Sequence, residues 1–127
     1  MTRWVEPAVV LAIHEQQLSE HGGPSGLRDS GLLDSALARP PNLAAYGAPD
    51  IFDLAAAYAF GLARDHPFVD GNKRVSFVVT EVFLALNGYE LMASDKDCFA
   101  QWMALADGSL KEADLAEWLR ANGRSTG

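Results

Sequence analysis

The fold is decided by residues 50–88, DIFDLAAAYAFGLARDHPFVDGNKRVSFVVTEVFLALNG. The first part of this stretch is apolar on most sides, which is typical of a helix surrounded by other helices. The last part is rich in β-branched and aromatic residues, but it is too long for a strand and closes with Asn87 and Gly88, a helix-stop signal. The stretch therefore predicts two central helices joined by the polar segment 66–74, HPFVDGNKR.

Two helical segments precede this pair and two follow it. The first is predicted over residues 6–20 and the second over residues 30–38, where a Pro-Pro pair should end it. The fifth follows Ser94 as N-cap, and the sixth begins at SLKE, residues 109–112, whose serine and glutamate have capping-box spacing. The sequence therefore predicts an all-α fold, a compact six-helix bundle. The piece YELMA, residues 89–93, could be extended, but it has no second strand to pair with.

Composition restricts the possible functions. A chain of 127 residues is expected to form one domain, residues 1–127. Its net charge of -7 and pI near 4.7 exclude a broad basic surface, so we expect neither a nucleic-acid nor a membrane partner, and any anion site must be local. Cys98 has no second cysteine to pair with, and Met1 begins no secretory signal, so the expected compartment is the cytoplasm.

The polar segment 66–74 carries the groups of an anion site. Asp70, Gly71 and Asn72 have the pattern of a loop that enters a helix N-terminus, where unpaired N–H groups and the helix dipole favour an anion. Lys73 and Arg74 are unfavourable in a first helical turn unless a negative ligand is present. These residues therefore predict phosphate binding.

Two further side chains could act on a bound phosphate. Asp70 is a hard oxygen ligand suited to Mg²⁺, which commonly binds through one or two carboxylates and substrate phosphates. His66 is a side chain that can act as a general base near neutral pH. Together these residues have the chemistry that phosphoryl or nucleotidyl transfer requires. The chain has neither a P-loop nor the sequence motifs of protein kinases.

The segment HPFVDGNKR resembles the H-x-F-x-D/E-G/A-N-G/K-R signature of the Fic/Doc superfamily. Nearly the whole chain also resembles its short Doc, or death-on-curing, branch, as in HGGPSGLRDSGLLDSALARP, YAFGLARDHPF and FLALNGYEL. The resemblance implies a helical bundle of the Fic/Doc type. Typical Fic enzymes transfer AMP from ATP to a hydroxyl, whereas Doc toxins transfer the γ-phosphate.

Two positions favour the Doc reaction within this resemblance. Lys73 stands where AMP-transferring members usually have glycine, and Phe77 stands where they usually have a second arginine. One departure from Doc sequences is Val75-Ser76 in place of the usual Thr-Ala, which we expect to change helix packing more than the site.

The resemblance also implies roles for single residues. His66 would take the proton of the target hydroxyl, Asp70 would hold Mg²⁺, and Phe68 would anchor the loop in the core. Arg64 lies outside the signature but near enough to reach a phosphate or a partner. The residues that would bind the phosphates of ATP are Gly71, Asn72, Lys73 and Arg74.

The expected protein is thus the toxin of a type II toxin–antitoxin system. The resemblance implies transfer of the γ-phosphate of ATP, with Mg²⁺, to a serine or threonine hydroxyl of elongation factor Tu. The inhibitory pattern S/T-x-x-x-E-G/N fails at Pro7 in its nearest match, residues 2–7, so a separate Phd-like antitoxin is the expected partner of a toxin that is monomeric when free. A Fic-type protein AMP transferase and a catalytically silent antitoxin-binding module remain alternatives.

Several other residues have a structural interpretation. His14 is expected to be a hydrogen-bonded histidine of the core or behind the site, and Cys98 a small buried side chain. Arg28 and Asp29 are expected to form a salt-bridged corner that braces the loop. Residues of the last two helices that are expected in the core, with a groove for a partner helix as the alternative, are Trp102, Met103, Trp118 and Leu119.

Overall fold

The computed structural model describes residues 1–127, the whole of the sequence. Its helices and strands in chain order are α1 (Pro7–His21), α2 (Ser30–Tyr46), α3 (Ile51–Asp65), α4 (Asn72–Leu86), β1 (Tyr89–Leu91), α5 (Asp95–Asp107), α6 (Glu112–Asn122) and β2 (Gly123–Ser125). The predicted all-α fold of six helices is confirmed. No helix has both the length and the apolar character needed to cross a bilayer.

Helix α3 lies at the centre of the bundle. It packs against α2, α4, α5 and α6, and ten of its residues are buried. Half of these are alanines, whose small side chains let the neighbouring helices approach closely. Asp50 and Asp53 form a capping box at its start, and Arg120 of α6 binds both carboxylates. The hydrogen bond from Arg120 holds the pKa of Asp50 below its usual value.

Helix α4 forms although its sequence is rich in β-branched residues. Val75, Val79 and Phe83 recur every four residues and are fully buried. Phe83 contacts Tyr58 of α3, with ring centroids 4.9 Å apart. Burial of this face against α3 therefore outweighs the modest helix propensity of the segment.

The predicted end of the second helix at residue 38 is wrong, because α2 continues through Pro40 and Pro41. Each proline removes a main-chain donor, and its ring crowds the carbonyl four residues earlier, so other contacts must keep the helix continuous. Ala36 and Pro40 are buried, and Ala44 packs against the core beyond the pair. Packing on both sides of the two prolines thus holds the helix together.

The expectation that YELMA has no partner strand is also wrong. Strand β1 pairs in antiparallel fashion with β2, and Tyr89 lies opposite Ser125. Gly123 begins β2 against the ring of Phe52, where a Cβ would overlap the ring. The segment Gly-Arg-Ser shows no apolar alternation, so the sequence pattern gave no sign of this strand.

The predicted N-terminal cap is present in α5 but absent in α6. Ser94 caps α5 by accepting a hydrogen bond from the Asp97 N–H, as predicted. The capping box predicted for the sixth helix is wrong, because α6 begins at Glu112 without a side-chain cap. Ser109 instead donates its hydroxyl to the Ala104 carbonyl and so closes the end of α5.

Most of the core predicted on these helices is confirmed. Trp102 and Leu119 are buried, and Trp118 packs half-buried against Trp102. Cys98 is buried as expected, and this burial raises the pKa of its thiol. Met103 is 42% exposed, so its placement in the core is wrong.

Ser76 of α4 links its own helix to α3 and α5. Its hydroxyl donates to the Ala59 carbonyl of α3 at 2.7 Å and accepts from the Trp102 indole N–H of α5 at 3.0 Å. Ser76, Ala59 and Trp102 are all buried. The departure from the Thr-Ala of Doc sequences therefore has a packing role, as we expected.

We predict that Ser76→Ala lowers the free energy of unfolding by about 1 to 3 kcal/mol, because the buried Trp102 N–H loses its acceptor. Urea denaturation of Ser76→Ala, Trp102→Phe and the double variant should show a coupling of about 1 kcal/mol between the two sites. Thr80→Val, which removes a hydroxyl bonded only within α4, is the matched control and should cost less. Strictly additive effects of Ser76→Ala and Trp102→Phe would contradict this role.

Candidate active site

The loop between α3 and α4 opens into a depression of about 530 Å³. It is lined by His66, Val69, Asp70, Gly71, Asn72, Lys73, Arg74 and Phe99. Six of the seven site residues predicted from the sequence therefore surround one space. The exception is Arg64.

Arg64 does not line the depression, so its predicted reach toward a bound phosphate is not supported. Its guanidinium lies against Gly108 at the end of α5. The negative end of the α5 dipole and the nearby Asp107 carboxylate attract a cation to this place. Arg64 therefore stabilises the junction that follows α5.

His66 caps the C-terminal end of α3 in the left-handed conformation, with φ 51° and ψ 58°. His66 is the only residue other than the glycines that has a positive φ. This conformation costs a non-glycine residue about 1 to 2 kcal/mol, so contacts of the surrounding residues must hold it. It ends the helix, and the exposed imidazole lines the depression.

Arg28 supplies the main contact that holds His66. Its guanidinium donates from Nε to the His66 carbonyl at 2.7 Å and from Nη2 to the Asp65 carbonyl at 2.9 Å. Asp29 accepts instead from the first N–H groups of α2. The predicted brace is therefore confirmed, whereas the predicted salt bridge between Arg28 and Asp29 is wrong, because each side chain caps a different helix.

Main-chain bonds join the same two segments. The Arg28 N–H donates to the Pro67 carbonyl at 2.7 Å, and the Val69 N–H donates to the Gly26 carbonyl at 3.1 Å. Residues 26–29 thus form a short antiparallel contact with the loop. The α1–α2 connection consequently belongs to the structural support of the site.

Phe68 and Asn72 fix the middle of the loop. Phe68 is buried, as expected of an anchor. The Asn72 side chain accepts from the Phe68 N–H at 2.9 Å and donates to the Phe68 carbonyl at 3.0 Å. Both polar groups of the Asn72 side chain are therefore engaged with Phe68. The group that Asn72 can offer to an anion is its main-chain N–H.

The N-terminus of α4 is open. The N–H groups of Gly71, Asn72, Lys73 and Arg74 have no hydrogen-bond partner, and the first bonded N–H is that of Val75. Gly71 precedes the helix with φ 82°, a conformation that favours glycine. Four adjacent unpaired donors at a helix start are the geometry that binds a phosphate or carboxylate.

Two cations lie beside these donors. Neither Lys73 nor Arg74 has a carboxylate within 4.0 Å. The Lys73 ammonium lies 2.9 Å from the Met103 sulfur and 5.1 Å from the ring centroid of Phe99, which is 62% exposed. In a chain of net charge -7 this is a local positive site at a positive helix end.

Asp70 is the only carboxylate that lines the depression. Its side chain is exposed and lies over Gly23, and its main-chain carbonyl accepts from His14 Nε2 at 3.0 Å. No group of three or more histidine, cysteine or acidic side chains is placed to hold a metal ion. One carboxylate beside a phosphate site nevertheless fits Mg²⁺, which takes its other ligands from phosphates and water.

An apolar groove of about 360 Å³ continues from the depression between α1, α4 and α5. The two spaces share Lys73, Arg74 and Phe99. Phe77 and Trp102 line the groove with their rings edge to face, 4.9 Å between centroids. Trp102 is thus buried and also lines a groove. The alternative interpretation of this region, a groove for a partner helix, therefore stays open.

We predict that Arg28→Ala makes the amides of Phe68 and Val69 exchange with solvent about fivefold to thirtyfold faster, because the loop loses two hydrogen bonds. Native-state hydrogen exchange measures this. Arg124→Ala, which removes a surface ion pair with Glu90, is the matched control and should leave these amides unchanged. Equal exchange in Arg28→Ala and the unmodified protein would exclude the bracing role.

Comparisons with known proteins identify the family of the chain. The model of the Fic/DOC family matches residues 4–84, more than half of the chain. Toxin Doc of Mycolicibacterium smegmatis is 47% identical over 75 residues, which cover 57% of each protein. Protein kinase doc of Escherichia phage P1 is 29% identical over 119 residues, 93% of this chain and 94% of the phage protein. The chain therefore belongs to the Fic/DOC family, and its relatives place it in the Doc branch.

Proposed function

We propose that the protein is the toxin of a type II toxin–antitoxin system and a protein phosphotransferase of the Doc type. It transfers the γ-phosphate of ATP to a serine or threonine hydroxyl of elongation factor Tu and so blocks translation in the cytoplasm. The observation that carries the proposal is the open N-terminus of α4, with its unpaired donors and cations beside an exposed histidine and carboxylate. The names Toxin Doc and Protein kinase doc support the same class.

The phosphates of ATP bind at the start of α4 in this proposal. The N–H groups of Gly71 to Arg74 donate to phosphate oxygens, and Lys73 and Arg74 neutralise their charge. Asp70 holds Mg²⁺, which when bound supplies further neutralisation of the phosphate oxygens. The cost of two cations in a first helical turn is thus offset only when the ligand is present.

His66 acts as the general base. Its exposed imidazole takes the proton of the target hydroxyl while the hydroxyl oxygen forms a bond to the γ-phosphorus. The bond from the γ-phosphorus to the bridging oxygen breaks, and ADP leaves with the electron pair. Arg28 holds the main chain of His66, so the backbone position from which the imidazole extends is fixed before substrate arrives.

Two residues support transfer of the γ-phosphate rather than AMP. Lys73 places a bulky cation beside the depression where AMP-transferring members usually have glycine. Phe77, one turn beyond Arg74, packs against Trp102 and gives the groove an apolar wall in place of a second arginine. The cationic groups therefore end at Arg74, which favours a phosphate chain whose terminal group lies near His66. A Fic-type AMP transferase is the second candidate.

A separate Phd-like antitoxin restrains the enzyme in this proposal. The N-terminal segment of the chain is not available for this task, since the Val5 N–H donates to the Tyr58 hydroxyl and Arg3 bonds to Asn87. These contacts lie away from the residues that line the depression. The apolar groove beside Arg74 is a surface that an antitoxin segment could cover.

We predict that purified protein with Mg²⁺ and elongation factor Tu transfers label from γ-labelled ATP and none from α-labelled ATP. The reason is that the cradle holds the terminal phosphate next to His66. Autoradiography of the separated proteins measures the transfer. Label from the α-phosphate would show AMP transfer instead.

Variants of the proposed residues test whether transfer of the labelled phosphate depends on them. His66→Ala should reduce transfer by about 10² to 10⁴-fold, the usual contribution of a general base. Asp70→Ala should lose its response to Mg²⁺. Asp34→Ala, an exposed carboxylate on α2, is the matched control and should keep full activity. Full activity of His66→Ala would remove the general-base assignment.

A further inference from the structure

His14 contacts the loop from outside the 66–74 segment. It lies on α1, its side chain is only 3% exposed, and its ring stacks on Phe68 with 3.9 Å between centroids and 11° between planes. Its Nε2 lies 3.0 Å from the Asp70 carbonyl oxygen. We propose that His14 is a positioning residue that locks the peptide between Asp70 and Gly71 in the orientation needed for phosphate binding. The inference rests on the proposed function.

The hydrogen bond determines which nitrogen of His14 carries a proton. A carbonyl oxygen can only accept, so Nε2 must donate. The flat stacking on Phe68 and the burial of the ring leave little freedom for rotation. His14 thus presents a fixed N–H donor to one peptide of the loop.

This peptide is the one that most needs a fixed orientation. The C=O and N–H of a trans peptide point in opposite directions, and the chain has no cis peptide. Anchoring the Asp70 carbonyl on α1 therefore turns the Gly71 N–H away from α1. No residue of α1 lines the depression, whereas Gly71 does. The Gly71 N–H is accordingly held as the first of the four donors at the start of α4.

Without His14 the peptide could turn over. Gly71 has φ 82°, and glycine adopts positive and negative φ about equally, so it offers little resistance to such a rotation. A turned peptide would direct the Asp70 carbonyl, a negative dipole, toward the phosphate. One hydrogen bond from α1 thus orients the first anion donor of the site.

Two substitutions of His14 separate the contribution of its Nε2 hydrogen bond from that of its ring stacking on Phe68. His14→Phe keeps the stacking on Phe68 and removes the donor. His14→Gln loses the ring but places an amide N–H at about the distance of Nε2 from the main chain. A merely structural role predicts that the phenyl ring is the better replacement, whereas the positioning role predicts that the amide is.

The test measures three properties of His14→Phe, His14→Gln and the unmodified protein: the ¹³C shift of the Asp70 carbonyl without ligand, the affinity for Mg²⁺-ATP by calorimetry, and kcat and KM for phosphate transfer. His14→Phe should shift the carbonyl resonance and weaken nucleotide binding roughly tenfold, as expected for one lost hydrogen bond. His14→Gln should restore binding to within about threefold of the unmodified protein. If His14→Phe does not fold, His14→Met supplies an apolar side chain without a donor.

The outcomes distinguish the inference from the proposed function. Unchanged carbonyl shift and nucleotide affinity in His14→Phe, or equal loss in His14→Gln, would overturn the role of His14 alone. If the unmodified protein did not bind Mg²⁺-ATP, the proposed function and the inference would both fail. Binding without transfer to elongation factor Tu would remove that target and leave the role of His14 to be decided by shift and affinity.

Discussion

Two hydrogen bonds between the Asn72 side chain and the main chain of Phe68 hold the loop on which the site depends. They close the turn between the central helices while Phe68 is buried beneath it. With this side chain occupied inward, the N–H groups at the start of α4 remain unpaired and face outward together with Lys73 and Arg74. Without a ligand, these two cations lie at the positive end of the α4 dipole, which is electrostatically unfavourable. A bound anion would remove this repulsion, and the packing of the loop holds the charges in place until it binds.

The support of this loop comes from distant parts of the chain. Arg28 holds His66 from the α1–α2 connection, and His14 holds Asp70 from α1. Each bond ends on a main-chain carbonyl, so it fixes the backbone and leaves the imidazole and the carboxylate free to reach the depression. Bonds of this kind restrict geometry before a ligand binds, which lowers the cost of ordering the site at the moment of reaction.

Much of this could be predicted from the sequence, for reasons that differ between residues. Helical periodicity and stop signals identified all six helices, and the contiguous motif brought six site residues together because they lie within nine positions. The continuation of α2 through Pro40 and Pro41 and the pairing of β2 depend on tertiary contacts, which local patterns do not contain. Arg64 lies apart from the depression, and spacing along α3 does not show that its charge meets the end of α5. The bond from Arg28 to His66 spans 38 residues and could not be derived from spacing at all.

The most direct test of the central claim is a titration of the ¹⁵N-labelled protein with Mg²⁺-ATP, followed by amide chemical shifts. The account predicts saturable shifts centred on the N–H groups of Gly71 to Arg74, with smaller changes along the rest of α4. Saturable shifts that leave these four amides unmoved and centre on the start of another helix, such as Glu112 in α6, would contradict the claim that the loop between α3 and α4 is a phosphate site.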